Sequence, residues 1–309
     1  MFYRLRKSLR TAHFDWQTRR LLQTPPIAYQ EAPLTIVSMV LESDVQAYIL
    51  AVKALYRRLG RGKIAALIDN DLPLRKRDLI RHHLGPVEFH ILEEMPTGRC
   101  QRGGTWERLF FCVSRSLNEY VIQIDGDVLC FGPIEEVVEC VHENRAFTVS
   151  EGLPIRPLVE WAKQGRAQKS DNIVQTFEVR AREIGNADKW LYVRGSSGFA
   201  GFAKGAVSVE FLETFHDYGL KVHGERWKEW GTEQLGSNFS VANSPGSVAL
   251  PYPKYATFEP EYATFQKQGI TDAMSLLHFI GSFRFDRGVY AQLANKEIGA
   301  MLMSPGARG

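Results

Sequence analysis

One stretch constrains this chain more than any other: Tyr120-Val-Ile-Gln-Ile-Asp-Gly-Asp-Val-Leu-Cys-Phe-Gly-Pro133. Tyr120 to Ile124 is β-branched or aromatic apart from Gln123, the pattern of a central strand, and Gly126, Gly132 and Pro133 mark the loop that follows. Open α/β sheets bind ligands at the carboxyl ends of their strands. Asp125 and Asp127 stand at that end. The glycine between them is expected to let the backbone turn sharply, so that both carboxylates aim at one hard cation such as Mg²⁺ or Mn²⁺. Taken alone, an Asp-x-Asp is equally a turn carrying two solvated acids, so the surrounding pattern has to decide.

That pattern alternates strands with helices. Leu34 to Leu41 is a continuous apolar strand, and Ser43-Asp44 is expected to cap a helix from Val45 to Leu59, closed by Gly60 and Gly62. Ile64 to Ile68 is a second strand ending in Asp69-Asn-Asp71, a short helix runs from Asp78, and Val87 to Leu92 is a third strand. Trp106 to Ser116 is the helix that feeds the acidic strand. Alternation of this kind predicts an α/β fold with a mostly parallel central sheet flanked by helices, Rossmann-like in its first half. No Gly-x-Gly-x-x-Gly follows the first strand and no P-loop motif occurs, so the usual dinucleotide and nucleoside-triphosphate cradles are missing.

Beyond Pro133 come a helix through Val141, the run Arg145 to Ser150, and a polar, partly helical insertion over 152–188. The run Lys189 to Arg194 leads into Gly195-Ser-Ser-Gly-Phe-Ala-Gly-Phe-Ala203, where small and aromatic residues mix as they do when backbone approaches something closely. A helix over about Val207 to Tyr218 follows, then a helical stretch with Trp227, Trp230, Glu233, Gln234 and Asn238, and a late apolar strand Ser275 to Ile280. The two tryptophans fit either a sugar-facing site or the core.

With 309 residues, 44% hydrophobic and 24% charged, the composition is that of an ordinary globular chain. The net charge is +3, yet residues 1–20 alone carry Arg4, Arg6, Lys7, Arg10, Arg19 and Arg20 against Asp15, which is +5 and leaves −2 for the rest. A nucleic-acid-binding body is therefore not indicated. The basic arm, with Phe2, Tyr3, Leu5, Leu9, Phe14 and Trp16 interspersed, has the make-up of a helix that lies on an anionic membrane surface, or one that packs on its own domain. Cys100, Cys112, Cys130 and Cys140 include no Cys-x-x-Cys pair and suggest reduced thiols. With no apolar run long enough to span a bilayer, a cytoplasmic location is expected, peripheral to the inner membrane face where the arm makes contact.

In this order the features resemble GT-A-fold glycosyltransferases that use nucleotide-sugars, most of all the glycogenin and bacterial galactosyltransferase branch (glycosyltransferase family eight), over roughly residues 34 to 295. That branch has an Asp-x-Asp whose cation, usually Mn²⁺, bridges the donor diphosphate. Asp125 and Asp127 correspond. It also carries a late His-x-x-Gly-x-x-Lys, matched here by His278-Phe-Ile-Gly281-Ser-Phe-Arg284 with arginine for lysine, a phosphate-binding fork of different geometry. The branch's Asp-Gln with Asn four residues on reads Glu233-Gln234 and Asn238, and its donor-pocket Asn-Ser/Thr-Gly reads Ser196-Ser197-Gly198.

The resemblance implies a metal-dependent hexosyltransferase that moves a sugar from a nucleotide-diphosphate sugar to a sugar, lipid-linked or protein acceptor. It implies Mn²⁺ or Mg²⁺ on Asp125, Asp127 and His278, and a diphosphate on Arg284 near Gly281. Ser197 and Gly198 would line the donor pocket, with the nucleoside over Val40 to Ser43 and Asp69, and Tyr48 and Arg108 as further candidates. Glu233 and Gln234 would face the sugar or acceptor as catalytic residues. The expected organisation is a basic arm (1–33), one catalytic domain (34–300) with a nucleotide-binding half (34–150) and a sugar half (151–300), and a tail (301–309). Two alternatives stay open: a nucleotide-sugar-binding protein without turnover, and a haloacid-dehalogenase-type phosphotransferase.

Overall fold

The computed structural model describes residues 2–164, 172–281 and 283–303, with side chains from Ser8 onward except at 163, 164 and 175. Parts of the expected insertion (165–171) and tail (304–309) lie outside the described residues. In chain order the strands are β1 (Leu34–Val40), β2 (Lys63–Ile68), β3 (Val87–Ile91), β4 (Tyr120–Ile124), β5 (Val128–Cys130), β6 (Phe147–Ser150), β7 (Arg156–Pro157), β8 (Leu191–Tyr192), β9 (Gly195–Phe202), β10 (Val248–Leu250), β11 (Tyr255–Thr257) and β12 (Leu276–His278). The helices are α1 (Phe2–Gln17), α2 (Val45–Leu59), α3 (Leu74–Leu84), α4 (Trp106–Ser116), α5 (Glu135–His142), α6 (Leu158–Gln164), α7 (Ile173–Phe177), α8 (Val209–His223), α9 (Thr232–Ala242), α10 (Ala263–Lys267) and α11 (Val289–Leu302).

These elements form two compact units that interleave along the sequence. The first takes residues 1–93, 124–134 and 253–309. Its strands β1, β2 and β3 pair in parallel, with Val37 against Ala65 and Ala66 against Phe89. Parallel strands need a crossover, and α2 and α3 supply it. Ile49, Leu50, Val52 and Leu55 of α2 are fully buried, each stabilising the unit by about 1.5–3 kcal/mol relative to exposure. Gly60 then ends α2 in the left-handed conformation (φ 77°) that a residue without Cβ adopts cheaply.

A second small sheet in this unit orders β11, β12 and β5. In it β12 runs antiparallel to β5, with His278 opposite Val128, and the ladder continues outward as Phe279 N–H donates to Asp127 O at 2.9 Å. At the other end Gly132 lets the chain come close: a Cβ there would stand 2.8 Å from Ser275 Cα.

The second unit takes residues 94–123 and 135–252. Its strands run in the order β10, β6, β9, β4, with β10 and β6 parallel and β6 and β9 antiparallel. The core beside them is aromatic. Phe215 stacks on Phe239 at 4.0 Å between centroids and meets Trp227 edge-on at 5.6 Å, while Trp106 Nε1 donates to Thr232 Oγ1 at 3.1 Å. Trp227 is fully buried and Trp230 is 77% exposed, so only the first is a core residue.

The first half follows the expected order of elements within a residue or two, but several boundaries move. α3 starts at Leu74, directly after Pro73, not at Asp78, because its first turn is charged (Arg75, Lys76, Arg77) and shows no apolar period. Within the run Lys189 to Arg194, Leu191–Tyr192 form a short strand. The four cysteines are buried, and burial pushes the thiols of Cys100 and Cys130 up to about 12.

Candidate metal centre

Strand β4 ends at Ile124, and Asp125-Gly126-Asp127 carries the chain directly into β5. Because β5 pairs with β12 in the register above, His278 is delivered to the same spot from 150 residues away. Its Nε2 lies 3.4 Å from Asp127 Oδ1 and 3.7 Å from Asp125 Oδ2. One ligand atom from each of the three residues lies within 4.8 Å of the others. That span suits a single ion at a little over 2 Å from each donor. Two carboxylates and one imidazole are a donor set that fits Mn²⁺ or Mg²⁺.

The trio is recessed, with side-chain exposures of 28% for Asp125, 17% for Asp127 and 10% for His278. Burial pushes the Asp127 carboxyl up, but the hydrogen bond and charge of His278 and the guanidinium of Arg284 outweigh it and hold the group below its ordinary value. Asp127 is thus ionised at neutral pH, as a ligand must be.

Gly126 is not in the left-handed region that only glycine enters readily. The chain does turn there, Val128 N–H donating to Asp125 O at 3.1 Å, but a Cβ at Gly126 would touch Tyr48 N at an ordinary 3.5 Å, so the turn does not require glycine. Tyr290 Oη also holds the loop, donating to Gly126 O at 3.2 Å.

Arg284 lies in the same unit and is 6% exposed. Its Nη1 donates to Asp44 Oδ1 at 2.9 Å, whereas Nε and Nη2 are buried with no partner among the described residues. An unsatisfied buried guanidinium donor costs on the order of 1–3 kcal/mol, so two of them mark a place where an anion is expected. Asp44 was expected to cap α2. Its side chain makes no cap bond, because the carboxylate is taken by Arg284. Gly281 faces open space, with no atom within 4 Å of a built Cβ. Asp69 follows β2 half-buried, its carbonyl accepting Leu72 N–H at 3.1 Å, and Tyr48 is buried with no partner for its hydroxyl among the described residues.

The remaining candidates meet in the second unit. Glu233, at the start of α9, is 3% exposed. Thr105 Oγ1 and Ser197 Oγ each donate to its Oε2 at 3.0 Å, Gln123 Nε2 donates to Oε1 at 3.3 Å, and Arg108 Nη2 stands 3.5 Å from Oε1. Gln123 also donates to Ser197 O. Gln234 Nε2 and Asn238 Nδ2 both donate to Gly195 O, at 3.0 and 2.9 Å, and Gly198 N–H donates to Ser196 Oγ at 3.2 Å. Glu233 therefore ties α4, β4, β9 and α9 together.

Asp44, Gln123 and Tyr290 were not among the expected site residues. Gln123 did leave a signal, as the one polar residue in an otherwise apolar strand. Tyr290 left none, since a tyrosine in a helix is ordinary core material.

No protein-family model and no curated protein matches the sequence. Solved structures do match. Against the bifunctional glycosyltransferase WbbM the TM-score is 0.52 at 13% identity, over 86% of this chain and 49% of that one. Against the glycosyltransferase GlyE of Streptococcus pneumoniae it is 0.50 at 16% identity, over 87% and 62%. Against the galactosyltransferase LgtC it is 0.49 at 13% identity, over 88% and 97%. The chain spans about half the length of WbbM and less than two thirds of GlyE. At such identities the shared property is the architecture, and with its largely parallel strands, flanking helices and acidic strand end this chain has the GT-A fold of the glycosyltransferases.

Proposed function

We propose that the protein transfers a sugar from a nucleotide-diphosphate sugar, with a divalent cation, Mn²⁺ or Mg²⁺, held by Asp125, Asp127 and His278. The observation that carries this reading is the recessed trio in one unit with a buried arginine that has two donors to spare. The cation, once bound, is a Lewis acid that takes up charge on the leaving diphosphate.

Arg284 would serve the same charge. Its guanidinium, oriented by Asp44, meets oxygens whose charge grows as the sugar–phosphate bond breaks, so it stabilises the transition state more than the ground state. Asp69, Gly281, Ser197, Gly198 and Arg108 belong to donor binding in this reading, and Glu233 and Gln234 to the sugar or acceptor. Glu233 fits a positioning role better than that of a proton acceptor, because its oxygens are already engaged by Thr105, Ser197, Gln123 and Arg108. A hexose donor is the expected substrate. The acceptor class is a sugar, a lipid-linked sugar or a protein, with the basic arm of residues 1–22 favouring a lipid-linked one.

The test is a thermal-shift panel of nucleotide diphosphates and their sugars, with and without Mn²⁺, on wild type and Asp127→Ala. Ligands that bind the folded state raise Tm by mass action. One nucleotide-sugar that stabilises only with metal and only in wild type supports the reading and names the donor. A panel with no shift in either protein ends it. Hydrolysis of that nucleotide-sugar without acceptor then separates a transferase from a binder.

A further inference from the structure

Helix α1 has two apolar faces, and the fold uses only one. Thr11, Phe14 and Thr18 are buried. Phe14 stacks on Tyr290 at 4.3 Å and meets Phe285 at 5.7 Å, which secures the helix to its own unit. Leu9 and Trp16, seven residues apart and so within roughly 20° of each other around the helix, lie roughly 140–180° away from that buried set. They are 62% and 61% exposed, and Leu22, just beyond the helix, is 41% exposed. In the sequence the same spacing continues backward through Leu5 and Phe2.

The exposed stripe is bordered by cations. Arg10 is 58% exposed, Arg19 and Arg20 are exposed, and Arg19 lies over the Trp16 ring at 4.7 Å while donating to Trp16 O at 2.8 Å. Beside it runs a groove of about 480 Å³, lined by Leu9, Arg10, His13, Phe285, Arg287 and Ala291. The nearby acids are Asp286, 3.7 Å from Arg10, and half-buried Asp15. Leucine and tryptophan on a face edged with arginine match a bilayer surface, where indole sits at headgroup level and guanidinium meets phosphate. No helix among the described residues is long and apolar enough to cross a membrane.

We propose that the Leu9–Trp16–Leu22 stripe with Arg10, Arg19 and Arg20 is a docking surface for an anionic phospholipid bilayer. It goes beyond the nucleotide-sugar reading and depends on none of it, so failure of the donor panel leaves it standing.

Co-sedimentation tests it, using vesicles of phosphatidylcholine alone and of phosphatidylcholine with phosphatidylglycerol in equal parts, with no nucleotide present. Wild type is expected to bind the mixed vesicles and not the neutral ones. Trp16→Ser and the double change Arg19→Glu, Arg20→Glu should each weaken binding at least about tenfold with an unchanged Tm, since these side chains are exposed. A Trp230→Phe protein removes the other exposed indole and should still show a blue shift of emission on mixed vesicles. The proposal is overturned if wild type ignores mixed vesicles or if Trp16→Ser binds them as wild type does. It is also overturned if the stripe instead joins two copies of the chain, seen as a doubled mass in solution that Trp16→Ser abolishes without any vesicle binding.

Discussion

The hydroxyl of Tyr290 donates to the carbonyl oxygen of Gly126 at 3.2 Å, placing a buried helix side chain under the backbone between the two aspartates of the candidate metal centre. The ring is clamped on both sides, by Phe14 at 4.3 Å and Phe279 at 4.4 Å, so the hydroxyl has little freedom. Tyr290→Phe keeps the stack and removes only the bond. Groups of this supporting kind alter metal affinity by about 10- to 100-fold when removed. Calorimetry is expected to show Mn²⁺ binding about tenfold weaker in Tyr290→Phe at nearly unchanged Tm, and equal affinity would mean that the hydroxyl does not hold the loop.

Arg284 should be replaceable in part by lysine and not by alanine. Arg284→Ala removes the two spare donors and leaves Asp44 facing no cation. With charge-assisted bonds worth about 1.5–3 kcal/mol, nucleotide diphosphate affinity should fall on the order of 10- to 100-fold. Arg284→Lys, which keeps the charge but not the fork, should lose less than about tenfold. Titrations with the diphosphate that the donor panel identifies decide this, and an alanine variant that binds like wild type removes Arg284 from the site.

Acid should destabilise the protein before its carboxylates are protonated. Burial lowers His83 and His223 to about 4, and for His83 the Lys53 charge adds to it. A base whose folded pKa is depressed contributes stability that is fully present above the unfolded value near 6.5. That contribution drains away as pH falls toward 4, because the unfolded chain takes up protons that the native one refuses. Each is worth up to about 3 kcal/mol. Asp15, raised to about 6 mainly by burial, works the other way, its contribution being lost as pH rises from 3.8 through 6. His223→Phe preserves the ring contact with Trp227, 5.8 Å between centroids, and ends the titration. Its Tm should fall less than that of wild type between pH 6.5 and 4, and parallel curves would count against a buried neutral His223.

Gly219 should not tolerate alanine, although alanine favours helices by about 1 kcal/mol. A Cβ at that point in α8 would stand 2.1 Å from Trp227 Cε2, and Trp227 is fully buried among aromatic rings. Overpacking of this kind costs about 1–3 kcal/mol. Urea unfolding of Gly219→Ala should therefore show a net loss, and a gain in stability would mean that Trp227 does not lie against the helix.

Much of this was legible from local pattern. Strand period, loop glycines and the placement of acids at a strand end depend on neighbours in sequence, and they located β1 to β4, Asp125 and Asp127. The resemblance carried by His278, Gly281 and Arg284 pointed to His278 as the third member of the trio. What the sequence could not disclose is which distant partner each polar side chain takes. Asp44 looks like a helix cap until Arg284, 240 residues on, claims its carboxylate. Trp227 and Trp230 are equivalent as letters, yet one is core and the other is solvent-facing. Gly126 reads as a turn glycine and does lie in a turn, but the bond that Tyr290 makes to its carbonyl leaves no trace along the chain. Local conformation is set by each residue's own sterics and its near neighbours, and so is written along the chain. Partner choice among buried polar groups is settled only when packing brings remote segments within hydrogen-bond reach and removes the water that would otherwise satisfy them.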